Sequence, residues 1–272
     1  IQCQKENPKT ITMNSLGIIT GRLEGGISNV TFTNCIIDEN VINHTEVQGE
    51  KSGATTNLFT NTNLKLDHVT WKLKSSGDQI GKHGIYLNAE TKLYISNGSA
   101  VEISGFNSSG SSGLFQDASD RTASMSPVEI VIDNGSELSI SDCGYGGITV
   151  DEPHMTVSDH SKIHVTNCGL NGGRGGIQCL GTCRVENGSS IISDKNVGSL
   201  QGAFFNHLYL DGTSDMSVCG NKGARGLRIG GTGVIDTGAK LNVDCNEGTG
   251  LQIYTGLNFY FGDVQIKPGA KV

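Results

Sequence analysis

Residues 136–150 read SELSISDCGYGGITV, and residues 161–179 read SKIHVTNCGLNGGRGGIQC. Each stretch opens on Ser, places apolar residues two and four positions on, and puts Cys at the seventh. Far upstream, residues 28–35 read SNVTFTNC in the same manner. Alternation of apolar and polar side chains describes a strand that buries one face. A phrase of that kind, repeated along a chain, describes strands that stack.

Anchoring on the opening Ser gives Ser28, a degraded Thr62, then Ser99, Ser136, Ser161, Ser189, Ser214, Ala239 and Ala270. From Ser99 to Ala239 the intervals are 37, 25, 28, 25 and 25 residues. Two positions on stand Val30, Leu64, Val101, Leu138, Ile163, Ile191, Met216 and Leu241. Four positions on stand Phe32, Leu66, Ile103, Ile140, Val165, Val218 and Val243, with Ser193 the exception. Another alternating pair precedes most anchors, as in Leu93/Ile95 and Ile130/Ile132. A third short strand follows a Gly-rich turn, as in GITV, GIQC, GLRI and GLQI.

The unit is therefore three short strands and three turns. It cannot bury its apolar face alone and must stack on copies of itself. This predicts an all-β fold, a right-handed single-stranded parallel β-helix of about eight or nine coils. It predicts one domain over 1–272, with 1–27 as an N-terminal cap and coils over 28–272. A sandwich does not account for the fixed period, and the L-x-x-L-x-L pattern of a leucine-rich horseshoe is absent. The small anchor residue suits a corner, and the Gly before it, in NGS at 97–99, 134–136 and 187–189, suits positive φ. The seventh position, Cys35, Cys143, Cys168, Asn196, Asn221 and Asn246, is expected to stack as a ladder at the next corner. Val264, Ile266, Gly269 and Ala270 open a further unit, which predicts a partner over that end or a longer array.

Composition narrows the function. Lys and Arg number 20 against 27 Asp and Glu, a net charge of -7, which argues against nucleic acid as a partner. No apolar run approaches the roughly 18–20 residues that cross a bilayer as a helix. Six N-x-S/T sequons occur, at Asn29, Asn43, Asn97, Asn107, Asn134 and Asn187, but a chain this rich in Asn, Ser and Thr makes them by chance.

Eight Cys invite pairing. Stacking places Cys143 with Cys168 and Cys219 with Cys245 on adjacent coils, within disulfide reach. Cys179 and Cys183 frame a turn, and Cys3 with Cys35 would tie the cap to the first coil. The competing expectation is a row of buried free thiols acting as small core residues. With no C-x2-C pair and no His beside Cys179 and Cys183, no metal is expected.

Strings such as NGSELSISDCGYGGITV and GAKLNVDCNEGTGLQI resemble the pectate-lyase-like right-handed β-helix superfamily, and more narrowly the repeat arrays of bacterial surface adhesins. The resemblance covers roughly residues 28–272. It implies a secreted or wall-attached module, a monomer or part of a longer surface protein, that binds carbohydrate or a host-surface ligand without a cofactor. The superfamily also contains lyases, C5-epimerases and hydrolases of acidic polysaccharides, and a trimeric phage tail-spike is a third reading.

The enzyme motifs fit poorly. GKHGI at 81–85 echoes the hydrolase pattern without its Asp pairs. YGGITVDEPH at 145–154 resembles the epimerase segment, which would make Tyr145, Asp151 and His154 acid, charge neutraliser and base. An ordinary turn at Pro153 explains the same residues. For binding, the segment 107–126, NSSGSSGLFQDASDRTASMS, reads as a long loop on a rigid scaffold. It offers Phe115, Gln116, Asp117, Asp120 and Arg121. Arg174, Arg225 and Arg228 are candidates for a basic strip, or for solubilising corner residues. Trp71, the single Trp, is either a packing residue or a sugar-stacking platform. The expectation is a non-enzymatic adhesin-type module.

Overall fold

The computed structural model describes residues 1–2, 6, 8–14, 19–20, 28–41, 55–59, 61–75, 83–88, 90–116, 127–253 and 264–272. These residues form strands and turns with no helix, and every strand pair among them is parallel, with a register shift between Cys179 and Thr182 in the longest pair. One sheet has nine strands, in the order Thr10–Asn14, Ile36–Val41, Thr70–Ser75, Ala100–Ser104, Glu137–Ser141, Lys162–Thr166, Ser190–Asp194, Asp215–Cys219 and Lys240–Asn242. A second sheet of sixteen strands supplies the two other faces, joined where Gly175–Val185 and Gln201–Leu210 bend from one face into the next. The result is a β-solenoid of about seven turns, close to the eight or nine coils expected. In the nine-stranded sheet, seven strands have a neighbour on both sides.

Inward positions make one continuous core. Val101, Ile103, Leu138, Ile140, Ile163, Val165, Ile191, Met216 and Val218 are all buried, as the anchor register predicts. The exception Ser193 is buried too, and its hydroxyl donates to the Gly202 carbonyl at 2.7 Å.

Two corner ladders lock the turns together. At the anchor corner, the backbone N–H of Ser99 donates to Ser136 Oγ at 3.2 Å, and Ser136 donates to Ser161 Oγ at 3.1 Å. Ser161 donates to Ser189 Oγ at 3.1 Å, and Ser189 to Ser214 Oγ at 3.3 Å. At the next corner the N–H of Cys168 donates to Asn196 Oδ1 at 2.9 Å. Asn196 and Asn221 each donate, through backbone N–H and Nδ2, to the Asn one turn on, at 2.9–3.0 Å. The Asn–Gly pairs 97–98, 134–135 and 187–188 all take positive φ, as the turn demands.

Glycine in the third strand has a packing reason. A Cβ on Gly113 would lie 2.3 Å from Ile140 Cγ2 and 3.4 Å from Cys143 Sγ. On Gly147 it would lie 2.1 Å from Val165 Cγ1, and on Gly202 2.4 Å from Asn221 Nδ2. Core side chains and the corner ladder together fill the space that a side chain there would need.

The structure corrects three expectations. First, the phrase at 28–35 lies one face out of register. Ser28–Thr33 pairs with Thr62–Asp67, which pairs with Lys92–Ser96, the strand before the anchor. Ile36, Thr70 and Ala100 stack, so Cys35 shares its corner with Val69 and Ser99, not with Cys143. Second, the residues before Ser28 are not only a cap: Thr10–Asn14 adds a strand beside Ile36–Val41. Third, the Cys pairs expected as disulfides are free thiols at Cys143, Cys168, Cys179, Cys183, Cys219 and Cys245. Cys3 lies outside the described residues.

Ladder geometry explains the thiols. Stacked side chains point the same way with Cβ atoms one rung apart, about 4.8 Å, beyond the roughly 3.5–4.5 Å of a disulfide. Cys143 and Cys168 instead donate to the carbonyls of Ser141 and Thr166 at 3.4 and 3.3 Å. Cys179 stacks with Val150 and Phe205, whereas Cys183 stacks with Met155 and Leu208, so the two occupy different columns. Cys219 ends its strand, while Cys245 sits at a left-handed corner position with φ 53.

Candidate functional site

Outward side chains of the nine-stranded sheet stand in columns set by the same register. One column runs Lys72, Glu102, Ser139, His164, Ile192 and Ser217. Its neighbours run Ala100, Glu137 and Lys162 on one side and Ser104, Ser141, Thr166 and Asp194 on the other. Ala100, Ser139 and Ser141 are too small to fill the surface between their neighbours. A groove of about 390 Å³ opens there, walled by Glu102, Glu137, His164 and Thr166.

The polar groups in the groove are mostly oriented. Ser139 Oγ donates to Glu137 Oε1 at 2.8 Å, and Lys162 Nζ stands 3.9 Å from the same oxygen. His164 Nε2 meets Asp194 Oδ1 at 2.9 Å. Glu102 is exposed and makes no hydrogen bond or ion pair with a described residue. Ser139, His164 and Asp194 are the residue types of an acyl-transfer triad, but they are not wired as one. The Ser139 proton goes to Glu137, and the strand N–H groups beside it are spent on the parallel ladder, leaving no oxyanion donors. The arrangement offers acceptors and hydroxyls at fixed rung spacing, which suits holding a polyhydroxylated ligand.

The residues singled out from sequence are dispersed. Trp71 is fully buried, and its indole N–H donates to Glu39 Oε2 at 3.2 Å, so it is a packing residue and no platform. Phe115 and Gln116 belong to the strand Ser112–Gln116, not to a loop. Phe115 stacks on His83 with ring centroids 3.8 Å apart, and Gln116 is buried. Asp117, Asp120 and Arg121 lie outside the described residues. Arg174 Nε donates to Tyr145 Oη at 2.6 Å, and Arg228 covers the Phe204 ring at 4.6 Å. Arg225 stacks with Gln201 and Thr249, and the residue level with it one further turn back is Gly175, so no basic column forms.

The epimerase-like set is split by the fold. Tyr145 precedes the strand Gly146–Val150 and Asp151 follows it. Six residue steps of strand separate them by roughly 20 Å, too far for one proton transfer. His154 is exposed at the start of the next face, level with Glu129 and Thr182.

The groove residues were within reach of sequence reasoning. They occupy the first, third and fifth positions after the anchor, where Ala100, Ser104, Ser139 and Ser141 form a run of small residues on successive units. Among the described residues no group of three or more His, Cys, Asp or Glu could hold a metal ion, and no helix is long and apolar enough to cross a membrane. No protein-family model, no curated protein and no solved structure matches the chain. What the fold defines is the class, a parallel β-solenoid with a polar groove on its nine-stranded face.

Proposed function

We propose that this chain is an extracellular adhesin-type module of the pectate-lyase-like kind, which binds a glycan on a cell or host surface and does not cleave it. The observation that carries the reading is the groove bounded by Glu102, Glu137 and His164, open to solvent on a rigid parallel sheet. A rigid sheet holds acceptors at a fixed rise of about 4.8 Å per turn, so little order is lost when a sugar chain docks. Binding without chemistry agrees with a Ser139 hydroxyl committed to Glu137 and a His164 nitrogen committed to Asp194.

The unpaired thiols do not stand against a place outside the cell. Burial pushes the Cys179 thiol up to about 12 and holds Cys183 well above its ordinary range. The Cys143 thiol is held well above its ordinary range too, by the neighbouring Cys168 thiol and by burial. The Asp244 carboxylate raises the exposed Cys245 thiol. The thiolate is the reactive form, so the buried Cys143, Cys179 and Cys183 resist oxidation without being paired.

The test is a glycan-array screen of the purified chain, run beside assays for new reducing ends and unsaturated products. Binding without turnover is the expected result. Cleavage or unsaturation of any bound sugar contradicts the reading.

A further inference from the structure

The charges around the groove say what sort of sugar fits it. Glu102 is exposed and has no cationic partner among the described residues. Glu137 meets Lys162 only at 3.9 Å, with both side chains well exposed, so the ion pair is loose. The histidine at the other wall is already held by a carboxylate, at Asp194. Register places Glu102 opposite Ser139 and Glu137 opposite Ala100, so the two carboxylates stand diagonally on adjacent turns. Between their Cβ atoms that diagonal is roughly 8 Å, a separation from which two long, exposed Glu side chains reach one ammonium group. Carboxylates are acceptors only, so the ligand must bring donors. A uronate would instead set its own carboxylate against Glu102 and Glu137.

Resting on the glycan-binding reading, we propose that the groove takes an amine-bearing sugar, a hexosamine unit with a free amino group seated between Glu102 and Glu137. Ser139, Ser141 and Thr166 line the floor and far wall, where sugar hydroxyls replace water. Glu102 and Glu137 disfavour acidic polysaccharides, the substrates of the β-helix lyases and epimerases, although Lys72 and Lys162 stand on the neighbouring rungs.

Isothermal titration of the whole chain with four probes tests this: a glucosamine tetramer, its fully N-acetylated counterpart, an oligogalacturonate and an oligolysine. The glucosamine tetramer is expected to bind best, and more weakly as salt rises. Glu102→Gln and Glu137→Gln should each weaken it by about tenfold, the worth of one charge-assisted hydrogen bond, with the fold intact by circular dichroism. If the acetylated or acidic sugar binds as tightly, the amine assignment fails while the glycan reading stands. If oligolysine binds as tightly as the sugar, the groove belongs to basic peptides and the amine-sugar assignment is overturned. If no sugar binds, the glycan reading fails and this inference with it.

Discussion

Ser161 carries an interior hydroxyl because a backbone group needs it. It is 1 % exposed, and its Oγ accepts the Ser136 N–H at 3.1 Å across the corner. A buried donor left short of an acceptor costs about 1–3 kcal/mol, and the Ser136 N–H keeps a 3.2 Å contact with the Asp133 carbonyl, so the loss falls at the low end. Ser161→Ala is therefore expected to lower unfolding free energy by about 1 kcal/mol in urea titration, with the m-value unchanged. No loss would show that the ladder is a by-product of packing. Gly147 poses a harder constraint. Its absent Cβ would sit 2.1 Å from Val165 Cγ1 and 3.0 Å from the Gly176 carbonyl. Gly147→Ala should cost about 1–3 kcal/mol by overpacking, read in the same titration. The Gly at the head of GITV is visible in the sequence. Its partner across the core is not, because only the register brings Val165 and Cys168 over it.

The strand Ile36–Val41 buries a carboxylic acid. Glu39 is fully buried, accepting from Trp71 Nε1 at 3.2 Å and from Asn57 Nδ2 at 3.3 Å to both oxygens. Burial raises its pKa from 4.5 to about 7 against the lowering effect of those two donors. The folded chain thus holds this proton more tightly than the unfolded chain does. The benefit is complete below pH 4.5 and is lost as pH rises through about 7. The gap corresponds to roughly 3 kcal/mol. Wild-type stability should fall between pH 5 and pH 7.5 by about that order, and Glu39→Gln should flatten the profile. A wild-type profile that is flat over the same range would show that the acid is solvated.

The same strand shows where sequence reading stops. Before Ser99, Ser136 and Ser189 a two-residue Asn–Gly corner marks where one face ends and the anchor begins. In the first turns the corner is a single left-handed residue, Asn34 or His68, with no Gly to mark it. Period-2 alternation looks alike on every face, so SNVTFTNC passed for an anchor strand. Glu39 and Trp71 meet diagonally across the paired strands Ile36–Val41 and Thr70–Ser75, and Asn57 closes on Glu39 from another face, which no local pattern reports.

At the scale of the whole molecule, each turn touches chiefly its neighbours, so stability is a sum of turns and interfaces. The architecture was legible because one rule, repeated, fixes every central turn. The site was half legible: the register names the outward residues Glu102, Glu137, Ser139 and His164, but only the folded sheet shows small side chains on adjacent turns leaving a groove between them. Trp71 and Arg174 attracted notice as residue types, and the fold spends them on Glu39 and Tyr145.

The central claim is that the nine-stranded face is the binding face. The most direct test is a nuclear magnetic resonance titration of the labelled chain with the glucosamine tetramer, following backbone amides. The account predicts shifts clustered on Ala100–Ser104, Glu137–Ser141 and Lys162–Thr166, and lost in Glu102→Gln. Shifts clustered instead around Phe115 and Phe204, on the opposite sheet, would contradict it.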